Sequence, residues 1–316
     1  MSRLGAFVLV RVHVRVLVLV GVLVVGGFAR AEAETVGLFA PAAPFPGPVA
    51  RLDYVTGLAA HLEKGVGGSW RGKTFARAAD FAAAVRRGEL DYAVVDAAYL
   101  AAAGVPHTVL AAAQRAGATG AAWEVVSMLP GGLDGLKGRT LAVPDIGARG
   151  ETFVHDVLFE GELARDHFGK LLLAADALSA LAAVERGRAD AAVVPAGLAL
   201  PAGARRAVTL RPVAWPLLVS LRGPGRPEVA RAAAGYDGRV FNGFVQGDAG
   251  AEAVRALAAR FTGRRRRVPI LVPEPRLAAS ALLAGGRPTM PRSDARSLLI
   301  VTSAPPNPPK TPAIGR

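Results

Sequence analysis

The chain has 316 residues, a net charge of +13 and a composition that is 52% hydrophobic, which is enough for one large domain or two lobes with a sizeable core. It has no cysteine, which excludes disulfides, thiolate metal sites, cysteine nucleophiles and a lipid-modified N-terminal cysteine. The positive charge lies at the ends: residues 1–31 carry four arginines and no acid, and residues 264–316 carry ten Lys or Arg against two acids. The part between them is near neutral and has no basic stripe with interleaved aromatics, so no nucleic-acid partner is predicted.

Residues 1–31 are predicted to be a secretory signal peptide. Val16–Phe28 is an uninterrupted run of thirteen apolar residues, shorter than the ~20 that span a bilayer. Small residues at Ala31 and Ala33 suit cleavage after either position. The alternative is an uncleaved anchor that extends toward the N-terminus and places two arginines and a histidine within the membrane. The mature chain is expected to be soluble outside the inner membrane and, without a cysteine, not a lipoprotein.

Residues 35–113 alternate short apolar runs with amphipathic ones, which is the pattern of an α/β lobe. We predict strands at Thr35–Ala40, Trp70–Phe75, Tyr92–Val95 and His107–Ala113, and helices at Val49–Glu63 and Arg77–Arg87. In the first helix, Leu52 is assigned to the buried face together with Val55 and Leu58. A Pro-rich turn, residues 41–48, follows the first strand, and Asp96–Tyr99 is predicted to be a loop.

Trp123–Met128 is predicted to carry the chain into a second lobe. The predicted elements there are a strand within Leu136–Asp145, a helix at 151–164, a strand at Leu171–Ala174, a helix at 177–186 with Asp176 as its N-cap, and a strand at Ala191–Val194. The segments Val208–Leu210 and Pro216–Leu221 return the chain to the first lobe, which helices near 226–235 and 249–261 complete. Residues 264–316 are predicted to be a basic, Pro-rich and partly disordered tail.

One helix-to-strand unit occurs twice in the chain. Ala84–Leu100 and Ala183–Ala199 align without a gap, and each holds an apolar helical run, a glycine, an aspartate and a short buried strand. Glycine suits the left-handed end of a helix, and the AVV run suits a strand covered on both faces. The repeat therefore predicts an α/β fold of two similar lobes, with residues 32–121 and 214–263 in lobe 1 and residues 122–213 in lobe 2. The cleft between such lobes is the natural ligand site.

The order of these features resembles the type II periplasmic binding proteins, most closely the phosphate-, phosphite- and phosphonate-binding branch attached to ABC transporters. Leu136-Lys137-Gly138 before a buried strand and the Gly-x-x-Asp unit in each lobe carry the resemblance, which covers residues 35–262. It implies two α/β lobes joined by a two-strand hinge, closing on a ligand without catalysing a reaction. The chain departs from that branch at two places. Gly147-Ala148-Arg149-Gly150 stands where the branch has a Ser/Thr-rich turn, and Asp176-Ala177 stands where it offers a histidine.

The strongest candidate site is the Gly-rich helix start of the second lobe. Its candidate ligand contacts are Gly147, Ala148, Arg149, Gly150 and Thr152. A helix start presents free N–H groups and a partial positive charge to an anion, and Arg149 adds a bidentate clamp. The alternative is an ordinary capped helix start, with Arg149 in solvent and the carboxylate of Glu151 on the N–H groups.

Four further candidate contacts follow other strands, at the sheet edge where ligands bind in doubly wound folds. Asp96 accepts from a ligand amine or caps the next helix, and Tyr99 either reaches the cleft or packs in the core. Phe45, in the Pro-rich turn, forms a wall of the site or belongs to a rigid surface turn. Pro195 opens the matching loop of the second lobe, where only the backbone can bind.

No catalytic or metal-binding pattern accompanies these residues. The chain has no GxSxG, P-loop or HExxH sequence, and its five histidines have no zinc-ligand spacing. We therefore predict no enzyme, no cofactor and no metal site. The predicted function is the periplasmic component of an ABC importer, whose partners are a small anionic or zwitterionic, phosphate- or phosphonate-like solute and a membrane permease. Two alternatives stay open: a secreted sensing or scaffolding protein without a transporter, and an enzyme on the same scaffold.

Overall fold

The computed structural model describes residues 33–262, so the predicted signal segment and the basic tail lie outside the described residues. The strands are β1 Glu34–Phe39, β2 Trp70–Thr74, β3 Tyr92–Val95, β4 Thr108–Ala113, β5 Gly120–Ser127, β6 Thr140–Pro144, β7 Lys170–Ala174, β8 Ala191–Pro195, β9 Arg205–Ala214, β10 Leu217–Ser220 and β11 Phe244–Gln246. The helices are α1 Pro48–Val66, α2 Ala78–Arg86, α3 Ala97–Ala103, α4 Gly150–Thr152, α5 Ala177–Glu185, α6 Pro227–Ala234 and α7 Ala249–Phe261. A 3-10 turn, Asp134–Leu136, precedes β6, and a π-helical segment, Phe153–Leu158, continues α4.

The strands form two separate sheets, each with helices packed on it. Sheet 1 has the order β11-β4-β10-β3-β1-β2, and sheet 2 has the order β7-β6-β8-β5-β9. Each sheet contains three parallel strands, β2-β1-β3 in one and β7-β6-β8 in the other, followed by an antiparallel neighbour. The predicted α/β class with two similar lobes is confirmed. Lobe 1 hereafter means sheet 1 with its helices, and lobe 2 means sheet 2 with its helices.

The two copies of the sequence repeat occupy equivalent places in the two sheets. Their strands, β3 and β8, each lie between a parallel strand and an antiparallel one. The carboxylate of Asp91 accepts the backbone N–H of Thr35 at 2.8 Å, and that of Asp190 accepts the N–H of Thr140 at 2.9 Å. The repeated aspartate thus fixes the start of the neighbouring parallel strand in both lobes. This role explains why the unit contains an aspartate three residues after its glycine.

Two antiparallel segments connect the sheets. Gly120 pairs with Ala214 and Ala121 with Val213, and the N–H of Trp215 donates to the carbonyl of Thr119 at 2.8 Å. The ladder between β5 and β9 shifts register between Ala121 and Trp123. These segments are the two-strand hinge, and a bulge at this point bends and twists the ladder locally.

Three details of the predicted elements are wrong. The helix predicted at 151–164 ends at Leu158, because Glu160 and Gly161 adopt left-handed φ values of 51° and 66° that a helix cannot continue through. The loop predicted at Asp96–Tyr99 is the start of α3, with Asp96 in the N-cap position. Leu52 is 48% exposed and does not lie on the buried face of α1 as predicted, whereas its neighbour Arg51 does.

Apolar packing continues from one lobe into the other. One cluster of buried residues joins Phe39, Phe81 and Tyr99 of lobe 1 to Trp123 and Phe153 of lobe 2. Two further clusters lie on the outer faces of the two sheets. The lobes are therefore in contact along an apolar seam beside the hinge. Among residues 33–262, no helix combines the length and the hydropathy needed to cross a bilayer.

Candidate functional site

The carboxyl ends of the parallel strands of both sheets meet on one side of the hinge. The turn after β1, the turn after β3 and the turns after β6 and β7 lie there, which is where open α/β sheets bind ligands. The backbone carbonyl of Pro41, after β1, accepts the N–H of Ala177, the first residue of α5, at 3.1 Å. Lobe 1 and lobe 2 therefore touch directly at their strand ends, and the cleft between them is closed.

Opposite charges from the two lobes meet in this cleft. Arg51 Nη2, on α1 of lobe 1, donates to Asp176 Oδ2, at the start of α5 in lobe 2, at 2.7 Å. The side chains are 10% and 15% exposed. The other oxygen of Asp176 accepts the N–H of Ser179 at 2.7 Å, so the predicted N-cap is confirmed. Asp176 therefore joins the lobes and caps a helix at the same time.

A small cavity lies beside this ion pair, next to the hinge. Its lining residues, which come from both lobes and from the hinge, are Ala42, Asp96, Ala97, Ala98, Trp123, Pro195, Val213, Ala214 and Trp215. Its volume is about 10 Å³, which is room for about one water molecule. A carboxylate and two tryptophans are the features of this cavity that can recognise a ligand, and the closed cleft must open to admit one.

Asp96 is buried at the wall of this cavity. Its Oδ2 accepts the N–H of Ala42 at 2.8 Å, which fixes the turn after β1. Burial raises the pKa of Asp96 to about 7, although the hydrogen bond from Ala42 and the charge of Arg51 both oppose the rise. The carboxyl group is therefore poised between its two protonation states near neutral pH.

Two of the predicted contacts, Gly147 and Tyr99, meet across the cleft. A Cβ atom built on Gly147 would lie 2.1 Å from the Cβ of Ala78 and 3.3 Å from the ring of Tyr99. Gly147 has a φ of 86°, so glycine is required there both by conformation and by close approach. Tyr99 is 2% exposed and packs on Phe39 with ring centroids 5.0 Å apart. The turn of residues 147–150, hereafter the glycine turn, thus packs directly against lobe 1.

The structure places two other predicted contacts away from the cavity. The guanidinium of Arg149 donates to the carbonyl oxygen of Phe261, at the end of α7, and lies 5.5 Å from the centroid of its ring. Phe45 is 1% exposed and packs against Tyr54 at 5.3 Å between centroids, in the cluster on the outer face of sheet 1. Both side chains have structural partners in this closed form.

The remaining predicted contacts divide between the cavity and the glycine turn. Pro195 lines the cavity with Asp96. Ala148, Gly150 and Thr152 are half-buried in the turn and first residues of α4. That helix has three residues before the π-helical segment, so its N-terminus presents fewer aligned peptide groups than the predicted long helix would.

Sequence reasoning missed Arg51, Trp123 and Trp215 as residues of the cleft. Arg51 carried a detectable signal, because it shares the apolar stripe of α1 with Val55, Leu58 and Leu62 at helical spacing. A charged residue on the buried face of a helix is rare without a partner. The tryptophans carried no such signal, since a buried aromatic residue in a strand or next to one is ordinary core.

The described part of the chain, residues 33–262, contains no group of three His, Cys, Asp or Glu residues that could hold a metal ion.

His155 is 2% exposed, and its Nδ1 has no hydrogen-bond partner among residues 33–262. Burial, together with the charge of Arg165, lowers its pKa. His155 lines a separate open cavity of about 540 Å³ beside β7.

No protein-family model and no curated protein sequence matches this chain. Solved structures do match. PhnD1 from Prochlorococcus marinus in complex with methylphosphonate is 12% identical, with a TM-score of 0.58 over 75% of this chain and 100% of that one. The binding protein component of an ABC phosphonate transporter from Pseudomonas aeruginosa is 12% identical, with a TM-score of 0.53 over 73% and 86%. XAC2383 from Xanthomonas citri, bound to ATP, is 14% identical, with a TM-score of 0.54 over 73% and 97%.

These likenesses confirm the resemblance at the level of the fold. The chain has the fold of the type II periplasmic binding proteins, with two mixed α/β sheets and a two-strand hinge. The neighbour from Pseudomonas aeruginosa is named as a binding protein component of a transporter. At such low identity the likeness does not extend to a ligand.

Proposed function

We propose that this protein is the periplasmic solute-binding component of an ABC importer and that it closes on a small anionic or zwitterionic solute. The observation that carries the proposal is the meeting of Arg51 and Asp176 between the two lobes. Buried charges are costly unless they are paired, and a cleft that keeps one from each lobe is equipped to grip a charged ligand. The binding-protein fold and the predicted signal peptide support the same function.

The proposal assigns the binding cycle to bending at the hinge. Residues 32–121 and 214–263 move as lobe 1 and residues 122–213 as lobe 2. Opening separates Arg51 from Asp176 and withdraws Gly147 from Tyr99, which enlarges the cavity beside Asp96. Closing then buries the solute against the turns after β1, β3, β6 and β7. Such rigid-body closure is the usual motion of two-lobed binding proteins, and the closed form is what a permease would recognise.

A thermal-shift screen of the exported chain tests the proposal. The panel contains phosphate, methylphosphonate, alkyl sulfonates, nucleotides and amino acids. A ligand at a hundred times its Kd stabilises the folded state by about 2.7 kcal/mol, which is an easily measured rise in Tm. A panel in which no compound raises Tm would count against a solute-binding role.

Tryptophan fluorescence gives an independent readout of the site. Of the three tryptophans, Trp123 and Trp215 line the cavity, whereas Trp70 is the first residue of β2 and is not among the lining residues. In Trp70→Phe, a bound solute should change the emission. In the matched variant Trp123→Phe/Trp215→Phe, which keeps Trp70, the same solute should leave the emission unchanged.

A further inference from the structure

The N-terminus of α5 is an anion site that the chain itself fills. The nine-residue helix begins at Ala177, and Asp176 Oδ1 accepts the N–H of Ser179 at 2.7 Å. The N–H of Ala177 is held by the carbonyl of Pro41 from the opposite lobe. Unpaired N–H groups at a helix start attract negative charge, and in the closed cleft the Asp176 carboxylate supplies it.

Arg51 faces this helix start with part of its hydrogen-bonding capacity unused. The residue is 9% exposed, and its Nε is buried without an acceptor anywhere in residues 33–262. A guanidinium and a carboxylate can make two parallel hydrogen bonds, but Arg51 and Asp176 make one, through Nη2. The second oxygen of Asp176 is occupied by its own helix. A buried donor without an acceptor is costly, so Arg51 is suited to a ligand with more than one acceptor oxygen.

A ligand that separates this pair must compensate both charges. A simple anion would satisfy Arg51 but would leave the Asp176 carboxylate facing a like charge. A simple cation would satisfy Asp176 and leave Arg51 unpaired. A zwitterion replaces each partner with a group of the same sign, so that neither buried charge is left alone.

We propose that the ligand is a zwitterion that inserts between Arg51 and Asp176, with its carboxylate, sulfonate or phosphonate group on Arg51 and its ammonium group on Asp176. The proposal rests on the solute-binding function proposed above and narrows the class of solute. The Arg51–Asp176 pair of the closed cleft is then a stand-in for the ligand: Arg51 lies where the ammonium group would bind, and Asp176 lies where the acidic group would bind.

Matched pairs of probes test the assignment by calorimetry. β-Alanine is compared with propionate, and 2-aminoethylphosphonate with ethylphosphonate, because each pair differs by the amino group. For at least one pair, the zwitterion is expected to bind on the order of tenfold or more tightly than its partner, as expected for one charged hydrogen-bonded contact. Equal affinity within both pairs, or tighter binding of the plain anion, would overturn the zwitterion assignment while leaving a solute-binding function in place. If neither these probes nor the wider panel binds, both proposals are wrong.

Two variants separate the roles of the charges. Asp176→Asn keeps a good helix cap but removes the negative charge, so the preference for the zwitterion over its partner should fall to within about threefold. Arg51→Gln should abolish binding of both members of a pair. Asp80→Asn, which breaks the exposed Arg77–Asp80 pair, is the matched control and should change neither affinity. An unaltered preference in Asp176→Asn would refute the contact with the ammonium group.

A second measurement needs no ligand. Loss of the ion pair should open the cleft, so acrylamide should quench Trp123 and Trp215 more strongly in Asp176→Asn and in Arg51→Gln, each combined with Trp70→Phe. Far-UV circular dichroism checks that the variants are folded. If quenching in both folded variants equals that of Trp70→Phe alone, the pair does not hold the lobes together and the stand-in role is wrong.

Discussion

Replacing Asp96 by asparagine should change how the stability of the protein depends on pH. The folded-state pKa of Asp96 is raised by burial to about 7, against the ordinary aspartate value of 3.8. Each pKa unit corresponds to about 1.36 kcal/mol, so a difference of about three units is worth about 4 kcal/mol in all. The asparagine variant retains an acceptor oxygen for the N–H of Ala42 and has no proton to lose.

The sign follows from which state holds the proton. Between the two pKa values the folded state binds a proton that the unfolded state has released, so the free energy of unfolding falls as pH rises from about 4 to about 7 and is then flat. Between pH ~5 and pH ~8 the wild type should lose about 2–3 kcal/mol through this group alone. Asp96→Asn should not show this loss, so its stability relative to wild type should increase over the same interval.

Urea unfolding at several pH values, followed by fluorescence and circular dichroism, measures this difference. Asp80→Asn is the matched control, because Asp80 is exposed and its hydrogen bond with Arg77 lowers its pKa. It is therefore ionised in both states throughout this range, and its profile should parallel that of the wild type. A profile for Asp96→Asn that also runs parallel to the wild type would refute the assignment of a raised pKa to this carboxyl group.

Three further substitutions test the contacts of the lobes and the titration of a buried histidine. Gly147→Ala should lower the free energy of unfolding, measured by chemical denaturation, more than the control Gly197→Ala does, and it should increase the radius of gyration in solution scattering. Both glycines have φ near 87°, but of the two only Gly147 has atoms close to where the new Cβ would lie. The control should therefore lose only the conformational term, about 1 kcal/mol. Arg149→Ala should lower the free energy of unfolding by about 0.5–1.5 kcal/mol through the lost bond to the Phe261 carbonyl, because Arg149 is exposed and water competes for this bond; an unchanged value would remove the structural role given to Arg149. His155→Gln should lessen the loss of stability as pH falls below about 6.5, since a lowered pKa makes the folded state resist protonation; identical acid profiles would contradict this.

The lobes were predictable because their signals are local. The glycine and aspartate of each repeat copy lie within a few residues of the strand that they define, and they recur 99 positions later in the same order. Gly88 and Gly187 have φ values of 65° and 66°, the left-handed conformation expected at a helix end. Asp91 and Asp190 then bind the equivalent strand in each lobe. Because the same glycine and aspartate occur in both copies at the same spacing, the pattern predicts the same local structure in each lobe.

The centre of the cleft was not predictable in the same way. Arg51 and Asp176 are 125 residues apart, and nothing in a local window says that one will face the other. Asp176 was predicted as a cap because capping is local, whereas its ion pair depends on how the hinge closes. Arg149 shows a second long-range effect: a glycine-rich turn with an arginine indicates an anion site, and in the closed cleft the guanidinium donates to the carbonyl and lies over the ring of Phe261, 112 residues away. Long-range packing decides between two uses of the same side chain.

The position of β10 has a consequence for the order in which the two halves of the protein can be completed. β10 lies between β3 and β4, and its residues, Leu217–Ser220, follow every strand of sheet 2 along the chain. As the polypeptide lengthens from its N-terminus, sheet 2 has all its strands once Ala214 has emerged. Sheet 1 at that moment still consists of β2-β1-β3 and an unpaired β4. The half that begins first therefore finishes last, and its edge strands are the segments most in need of protection during biogenesis.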